Sequence, residues 1–323
     1  MKIVAGLGSA DEYIRYCEAG ADEFFCGYVP YEWIKKYGTM TALNRREVLC
    51  CNVQIGGQEE LEILSSMINV YQKPVHLTFN SLYYLPEQYP LIAQIISDCI
   101  EMGFRSYIIA DPALILHLRE QGINCEIHLS GELGEINSGV VGVFYKMNLK
   151  RIIFHRKNSA ADMRAVIEAV ERNQHSKERQ MEYEAFVLNE LCQFSGSFCN
   201  SLHCDELGHL CRVPYWLGEV DGSRSSQIPE LSDRTEENDD TEDDYLCGQS
   251  GCGLCELYVL QKAGITHVKL VGRGNHVDSM EQDIRNLRKA LEILEGAESE
   301  ESFRRQMKQK LFSNGCSRNC YYL

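Results

Sequence analysis

Cysteine is the residue type in this sequence with the most chemistry to offer, because 15 cysteines occur among 323 residues. Seven of them crowd one part of the chain: Cys192, Cys199, Cys204, Cys211, Cys247, Cys252 and Cys255. Thiolates at this density are typical ligands of zinc, copper(I) or iron–sulfur clusters. Disulfides are rare in a reducing cytosol, so for a cytosolic chain metal ligation is favoured over cross-linking.

The spacing of these residues leaves the identity of the metal open. Tetrahedral zinc could draw its ligands from two groups, namely His203, Cys204, His209 and Cys211, and the pair Cys252 and Cys255. Cys192 and Cys199 are separated by six residues, which is wider than a zinc knuckle and suits a cluster of several irons. Six further cysteines lie in apolar periodic segments and are predicted to be small buried side chains: Cys17, Cys26, Cys50, Cys51, Cys99 and Cys125.

The elements that must position these residues alternate between strands and helices. The segments predicted as strands are Lys2–Leu7, Glu23–Gly27, Pro74–Asn80, Ser106–Ala110, Cys125–Ser130, Arg151–His155, Glu182–Leu188 and Thr266–Val271. Helical patterns between them imply parallel strands, and their number favours an α/β fold of the (β/α)8 TIM-barrel-like kind. The first strand is followed by no GxGxxG motif, which argues against a dinucleotide-binding open sheet.

The domain organisation follows from these elements. We predict a barrel-like domain over residues 1–275, which includes the cysteine-rich segment 192–255. Residues 217–246 are rich in Asp, Glu and Ser, lack apolar periodicity and are predicted to form an acidic flexible loop. Residues 276–323 are predicted to form a C-terminal helix and a cysteine-containing tail.

Polar residues follow several of the predicted strands. In a barrel, functional side chains come from the C-terminal ends of the strands, and Asn80, Asp111, His128 and Arg156 lie at or near such ends. We therefore predict that these four residues share a catalytic pocket. Asp111 could equally cap the helix that begins at Pro112.

Composition limits the possible partners. The formal net charge is −15 and the isoelectric point is about 5.1, so bulk electrostatic binding to nucleic acid is disfavoured. The N-terminal apolar run is too short for a signal peptide, and the sequence has no apolar run of the roughly 18 residues that a membrane span needs. These features predict a cytoplasmic protein without a membrane span.

Several blocks of the sequence resemble one protein family. The stretch EAFVLNELCQFSGSFC at 184–199 is similar to the signature of peptidase family U32, the collagenase-like proteins. Other blocks resemble further elements of the family in the same order: GADEFFCG at 20–27, PVHLTFNSL at 74–82, IIADPALI at 108–115, EIHLSGELGEINS at 126–138, RIIFHRKNS at 151–159 and AGITHVKLVGRG at 263–274. The resemblance therefore extends over about residues 1–275.

The resemblance implies a cofactor and a reaction class. Members of the family resemble oxygen-independent hydroxylation proteins that carry a 4Fe-4S cluster on four cysteines. Carried over by motif, the ligands would be Cys192, Cys199, Cys211 and Cys252, with Cys204 or Cys255 as alternates. The oxygen donor of such relatives resembles a dicarboxylate, prephenate. The residues able to clamp its carboxylates are Arg45, Arg46, Arg156 and Arg273, and we predict substrate binding by Arg45, Arg156 and Arg273.

Alternatives to this reading remain at the level of the sequence. The metal could be zinc, and the protein could be a peptidase or a non-catalytic iron–sulfur subunit in a two-protein complex. It could also form a homodimer. Neither HExxH nor GxSxG occurs, which disfavours the peptidase. Lys157 and Val271 replace family glutamates, and a single cysteine, Cys211, precedes Arg212, so the chain resembles a divergent member. The tail with Cys316 and Cys320 could hold a second metal or cap the barrel.

Overall fold

A computed structural model of the chain contains a closed barrel of eight parallel strands, arranged in the order of the sequence. It describes residues 1–38, 41–45, 53–145, 147–173, 181–192, 245–313 and 315–322. The strands are β1 (Lys2–Gly6), β2 (Glu23–Gly27), β3 (Val75–Phe79), β4 (Ser106–Ile109), β5 (Glu126–Leu129), β6 (Arg151–Ile153), β7 (Glu182–Leu188) and β8 (His267–Leu270). Pairing of β8 with β1 closes the barrel and confirms the predicted (β/α)8 fold.

Ten helices are described: α1 (Glu12–Ala19), α2 (Tyr31–Tyr37), α3 (Gln58–Tyr71), α4 (Tyr89–Glu101), α5 (Pro112–Glu120), α6 (Val141–Tyr145), α7 (Ala160–Asn173), α8 (Leu257–Ala263), α9 (Val277–Glu295) and α10 (Glu300–Leu311). Helix α4 shows why they cover the barrel, because Ile92, Ile95, Ile96 and Cys99 recur at helical spacing and are buried on one face. None of the described helices combines the length and apolar character needed to span a bilayer.

Short turns return each helix to the next strand. Gly20 ends α1 with a φ of 112°, a left-handed conformation that glycine adopts without a steric penalty. Its amide donates to the Cys17 carbonyl, and the next amide, of Ala21, donates to the Tyr16 carbonyl 3.0 Å away. The two bonds satisfy carbonyls at the helix end and turn the chain directly into β2.

The C-terminal part of the chain holds two helices where the sequence predicted one. Helix α9 packs against α1, and α10 packs against α9 and α8. Ser299 separates the helices, because its side chain accepts a hydrogen bond from the Ser302 amide at 3.2 Å and starts α10 anew. Glu300 and Glu301 in the first turn favour this start through the helix dipole.

The interior of the barrel contains two kinds of layer. Near the C-terminal ends of the strands lies an apolar cluster made of Val4, Phe25, Ile108, Ile153, Phe186, Val271 and Tyr321. Tyr321 belongs to the C-terminal tail, so the tail reaches the mouth of the barrel. Toward the N-terminal ends of the strands, the interior contains charged side chains, which form the charged layer of the barrel.

Glu12, at the start of α1, should give the fold a characteristic pH dependence. Its carboxylate accepts a hydrogen bond from the Gly8 amide at 2.7 Å, and burial raises its pKa from 4.5 to about 7. The folded chain thus holds the proton more tightly than the unfolded chain, and stability at this site falls as pH rises from about 5 to about 8. Replacing Glu12 with Gln should remove this loss, which is on the order of 3 kcal/mol, when unfolding is measured across that range. The matched control is Glu18→Gln, an exposed position on the same helix. Parallel pH profiles for Glu12→Gln and the wild type would contradict the assignment.

Candidate functional site

Arg151 organises the charged layer inside the barrel. Its guanidinium group, which is 2% exposed, donates to Glu23 at 2.6 Å, to Glu184 at 2.7 Å and to Glu182 at 2.7 Å. One of its nitrogens also lies 3.0 Å from the His267 ring. Burial alone would lower the pKa of Arg151, but these carboxylates raise it, so the side chain keeps its charge. Arg151 thereby balances the negative charges of Glu23, Glu182 and Glu184.

Lys269 continues this network toward the mouth. Its ammonium group donates to Glu184 at 2.8 Å and lies 3.7 Å from the centroid of the Phe25 ring. Burial raises the pKa of Glu184, but Lys269 and Arg151 outweigh that effect and hold it at about 2. The ionised Glu184 therefore lies between Arg151 in the charged layer and Lys269, which faces the mouth.

The mouth of the barrel contains a small cavity lined by cations. Arg45, Arg156, Lys269 and Arg273 line it together with the carboxylates of Glu132 and Glu190 and with Thr78, Asn80 and Ser130. Its volume is about 60 Å³, which accommodates a few water-sized groups. Such a lining is suited to the carboxylates of a small molecule.

Arg156 contributes a buried guanidinium group to the mouth. It follows β6, is 7% exposed, and stacks on Phe186 with 4.1 Å between the guanidinium carbon and the ring centroid. One nitrogen donates to Glu132 at 3.2 Å. Its Nε is buried and has no hydrogen-bond partner among the described residues. A buried donor without an acceptor costs about 1–3 kcal/mol, so this atom indicates where an anionic ligand would bind.

Arg273 lines the same cavity from the end of β8, two strands from β6 in the barrel. Its Nη1 lies 3.4 Å from the Thr78 hydroxyl and 3.5 Å from the Gln54 side-chain oxygen. Two glycines at strand ends make room for it. A Cβ atom on Gly27 would lie 2.7 Å from Arg273 Nη1, and one on Gly6 would lie 3.0 Å from its Cγ. Side chains at these positions would therefore displace Arg273.

The structure brings together most of the predicted binding residues but separates the predicted catalytic ones. Arg45, Asn80, Arg156 and Arg273 all line the cavity. The Asn80 side-chain oxygen accepts a hydrogen bond from the Arg45 amide at 3.0 Å, which fixes the loop that carries Arg45.

Asp111 and His128 have other surroundings and do not line this cavity. Asp111 caps α5 by accepting from the Ala113 amide at 2.8 Å, and it also accepts from the Tyr84 amide at 3.0 Å. His128 lies deeper in the barrel, with its ring centroid 4.5 Å from that of His76. Burial keeps the pKa of His128 well below its usual value. Catalytic roles for these two residues stay predictions.

Lys269, Glu132 and Glu190 line the cavity but were not singled out from the sequence. The sequence does contain an indication for Lys269. Side chains alternate between the two faces of a strand, and Lys269, Val271 and Arg273 occupy every second position. Those three residues therefore face the same side at the end of β8. Glu132 lies in a single 3-10 turn and Glu190 in the turn after β7, and at neither place does periodicity give such guidance.

Cys192 lies close to this mouth. It follows β7 and is half-buried, and its charge influences the pKa values of Arg156 and Tyr321. The turn before it is unusual, since Asn189 and Glu190 have positive φ values of 66° and 50°. Non-glycine residues rarely adopt this conformation, and it is often found at functional sites.

The remaining predicted ligands are divided between two regions. Cys252 lies beside the C-terminal tail, and its amide donates to the Asn319 carbonyl at 2.7 Å. Cys199, Cys204 and Cys211, most of the acidic loop, and Arg46 lie outside the described residues. The proposed cluster ligands therefore remain predictions.

A sequence profile of peptidase family U32 matches residues 8–323. The chain belongs to peptidase family U32. The match spans nearly the whole chain, so it includes the barrel, the cysteine-rich segment and the tail. It confirms the family indicated by the motif at 184–199.

Individual relatives match less of the chain. The tRNA hydroxylation protein P of Escherichia coli (strain K12) is 33% identical over 100 residues, which are 31% of this chain and 20% of that protein. The solved U32 peptidase Mk0906 has a TM-score of 0.43 and 13% identity, and the alignment covers 58% of this chain and 68% of that one. A mutant O-GlcNAc hydrolase of Thermobaculum terrenum has a TM-score of 0.46 and 8% identity, with 96% and 63% covered.

Proposed function

We propose that this U32 member is an iron–sulfur enzyme that carries out an oxygen-independent hydroxylation or related redox reaction, with a small carboxylate as the oxygen donor. The observation that carries the proposal is the buried, unsatisfied Nε of Arg156 in a cation-lined cavity next to Cys192. The similarity to a tRNA hydroxylation protein supports the reaction class. The acceptor would be a small molecule or a modified macromolecule.

The cluster would be held by Cys192, Cys199, Cys211 and Cys252, with Cys204 or Cys255 as alternates. The thiol donors present suit such a group, and Cys192 has a guanidinium nearby that offsets the negative charge of ligating thiolates. A bound cluster would supply electrons or a Lewis-acidic iron to the mouth of the barrel. A zinc ion is the alternative occupant of these cysteines.

The residues of the mouth would bind and orient the carboxylate donor. Arg156 and Arg273 reach the cavity from the ends of β6 and β8, and guanidinium groups bind carboxylates with two parallel hydrogen bonds. Phe25 and Phe186 hold the cations by ring contacts, with Lys269 over Phe25 and Arg156 over Phe186. These rings also keep water away from the buried side of the cavity, which strengthens the charge–charge attraction.

A peptidase mechanism finds little support in the described residues. They do contain a Ser–His–Glu arrangement, in which the Ser106 hydroxyl bonds to one nitrogen of His76 and Glu23 lies 3.0 Å from the other. All three residues are at most 4% exposed and lie in the charged layer inside the barrel. A peptide cannot reach a nucleophile enclosed in this way, and Glu23 is already bonded to Arg151.

Anaerobic purification tests the proposed cofactor. We expect about four irons and about four sulfides per chain, and we expect Cys192→Ser and Cys199→Ser to lower both. Cys17→Ser is the matched control, because Cys17 is buried in α1 away from the cysteine-rich segment. A protein that contains zinc but no acid-labile sulfide would contradict the proposal.

A further inference from the structure

Lys269 differs from the other lysines of the barrel in its surroundings. Among the lysines that the structure describes, it alone is buried, with 5% of its surface exposed. It lies on β8 and lines the cavity at the mouth. Lysine is rarely buried in proteins, and where it is buried its amine is often chemically active.

Two aromatic rings link Lys269 to guanidinium groups of the mouth. The ammonium nitrogen lies 3.7 Å from the centroid of the Phe25 ring and 5.9 Å from that of Phe186. The guanidinium carbon of Arg273 lies 5.7 Å from the Phe25 centroid, and that of Arg156 lies 4.1 Å from the Phe186 centroid. Lys269 therefore shares one ring with each arginine. A carboxylate held by either guanidinium group would bring its neighbouring carbon atom close to the amine.

The charges around Lys269 favour its neutral form. Burial lowers the pKa of Lys269, and the positive charges of Arg151 and Arg273 lower it further, whereas Glu184 raises it without reversing the shift. A desolvated lysine beside other cations is the setting in which this side chain acts as a nucleophile.

We propose that Lys269 is a catalytic nucleophile that forms an imine with the carbonyl group of a small α-keto acid, whose carboxylate binds to Arg156 or Arg273. An α-keto acid carries its electrophilic carbon directly beside the carboxylate, which matches an amine so close to both guanidinium groups. The cavity volume of about 60 Å³ restricts the buried part of the ligand to such a short group. The inference rests on the carboxylate site of the proposed function and adds a covalent step there.

The step needs no oxidant or reductant. The neutral amine of Lys269 adds to the carbonyl carbon, so that a C–N bond forms and the π bond of the carbonyl breaks. The resulting carbinolamine loses its hydroxyl group as water, which takes up the proton that the ammonium group gave up. The product is a protonated imine with one positive charge, as the ammonium group had. Its N–H can donate to Glu184, the carboxylate that accepts from the ammonium group at 2.8 Å.

Chemical trapping on the full chain tests the imine. Wild-type protein is incubated anaerobically with pyruvate and reduced with sodium borohydride, and its peptides are mapped by mass spectrometry. We expect a reduced pyruvate adduct at Lys269, because hydride converts an imine to a stable secondary amine. Succinate has carboxylates but no ketone, so it should form no adduct and should lower the yield with pyruvate.

Two lysine variants serve as controls. Lys269→Arg keeps the positive charge but cannot form the imine, so the adduct should be lost. Lys150→Arg is the matched control, because Lys150 pairs with Glu182 at 3.0 Å and does not line the cavity, and its adduct at Lys269 should persist. Circular dichroism reports whether Lys269→Arg folds, and peptide mapping of the wild type decides the question if it does not.

The outcomes separate this inference from the proposed function. A wild type that succinate stabilises in thermal unfolding, but that carries no adduct at Lys269, would overturn the imine and leave the carboxylate site standing. Adducts on exposed lysines with none at Lys269 would also overturn it. If neither stabilisation nor adduct is found, the carboxylate site is wrong and the imine with it. An adduct at Lys269 in a protein without iron would support the imine and contradict the proposed cluster.

Discussion

Replacing Arg151 with Met is expected to destabilise the folded protein by about 3–5 kcal/mol, which is the cost of removing one partner from a buried ion pair. Arg151 is 2% exposed and bonds to the carboxylates of Glu23, Glu182 and Glu184. The substitution keeps much of the side-chain volume but leaves these carboxylates without their shared cation. Urea unfolding monitored by circular dichroism measures the loss as a lower midpoint at an unchanged slope.

Two further variants separate the charge from general effects of mutation. Arg15→Met removes an arginine whose partners, Asp278 and Glu281, lie at the surface, and it should leave the midpoint nearly unchanged. Adding Glu184→Gln to Arg151→Met removes one of the uncompensated charges and should restore part of the stability, which a double-mutant cycle quantifies. If Arg151→Met unfolds at the wild-type midpoint, the buried network does not stabilise the barrel.

The barrel itself was predictable because its strands obey simple rules. Buried parallel strands are short apolar runs between helical segments, and all eight predicted strands overlap the observed ones. Helices α2, α8 and α10 were not predicted. Helices α2 and α8 contain seven residues each, which is too short for a clear helical period. Helix α10 has twelve residues but buries only Phe303 and Met307, so its apolar signal is weak.

The site was predictable in part, because sequence indicates the end of a strand better than the depth of a side chain. Arg156 and Arg273 follow strands and both line the mouth, as predicted. His128 also points into the barrel, but it lies one layer lower, against His76. Alternation along a strand gives the face on which a residue lies, whereas depth depends on how neighbouring strands are staggered. That stagger is a property of the closed barrel and cannot be read from one strand.

The charged layer and the mouth of the barrel differ in how many of their charges are paired. In the charged layer, three carboxylates form ion pairs with three cations. The carboxylates are Glu23, Glu182 and Glu184, and the cations are Lys2, Arg151 and Lys269. Each of these carboxylates therefore has a cation in direct contact.

At the mouth, three guanidinium groups among the described residues face two carboxylates, Glu132 and Glu190. Like charges in a confined space repel one another unless an anion lies between them. The mouth is therefore the part of the described interior with a surplus of positive charge, in a chain whose net charge is −15.

Replacing Arg156 with Leu is expected to abolish binding of the proposed dicarboxylate donor without removing the proposed cluster. The wild type should be stabilised by about 2.7 kcal/mol at a hundredfold excess of ligand over its dissociation constant. The variant should show no such stabilisation, because the buried donor that faces the cavity is gone. Thermal unfolding in the presence of prephenate, and of succinate as a simpler dicarboxylate, measures the difference.

Controls for this prediction follow from the contacts of Arg156. Arg156→Lys keeps the charge but loses the planar pair of donors, so we expect weakened binding and not a wild-type response. Arg285→Leu removes an arginine on α9 that pairs with Glu281 away from the mouth, and it should respond to ligand as the wild type does. Iron content should be the same in all three variants, since we propose that Arg156 binds the donor and not the metal. Full ligand stabilisation in Arg156→Leu would show that the carboxylate binds elsewhere, and loss of iron would show that Arg156 supports the cluster.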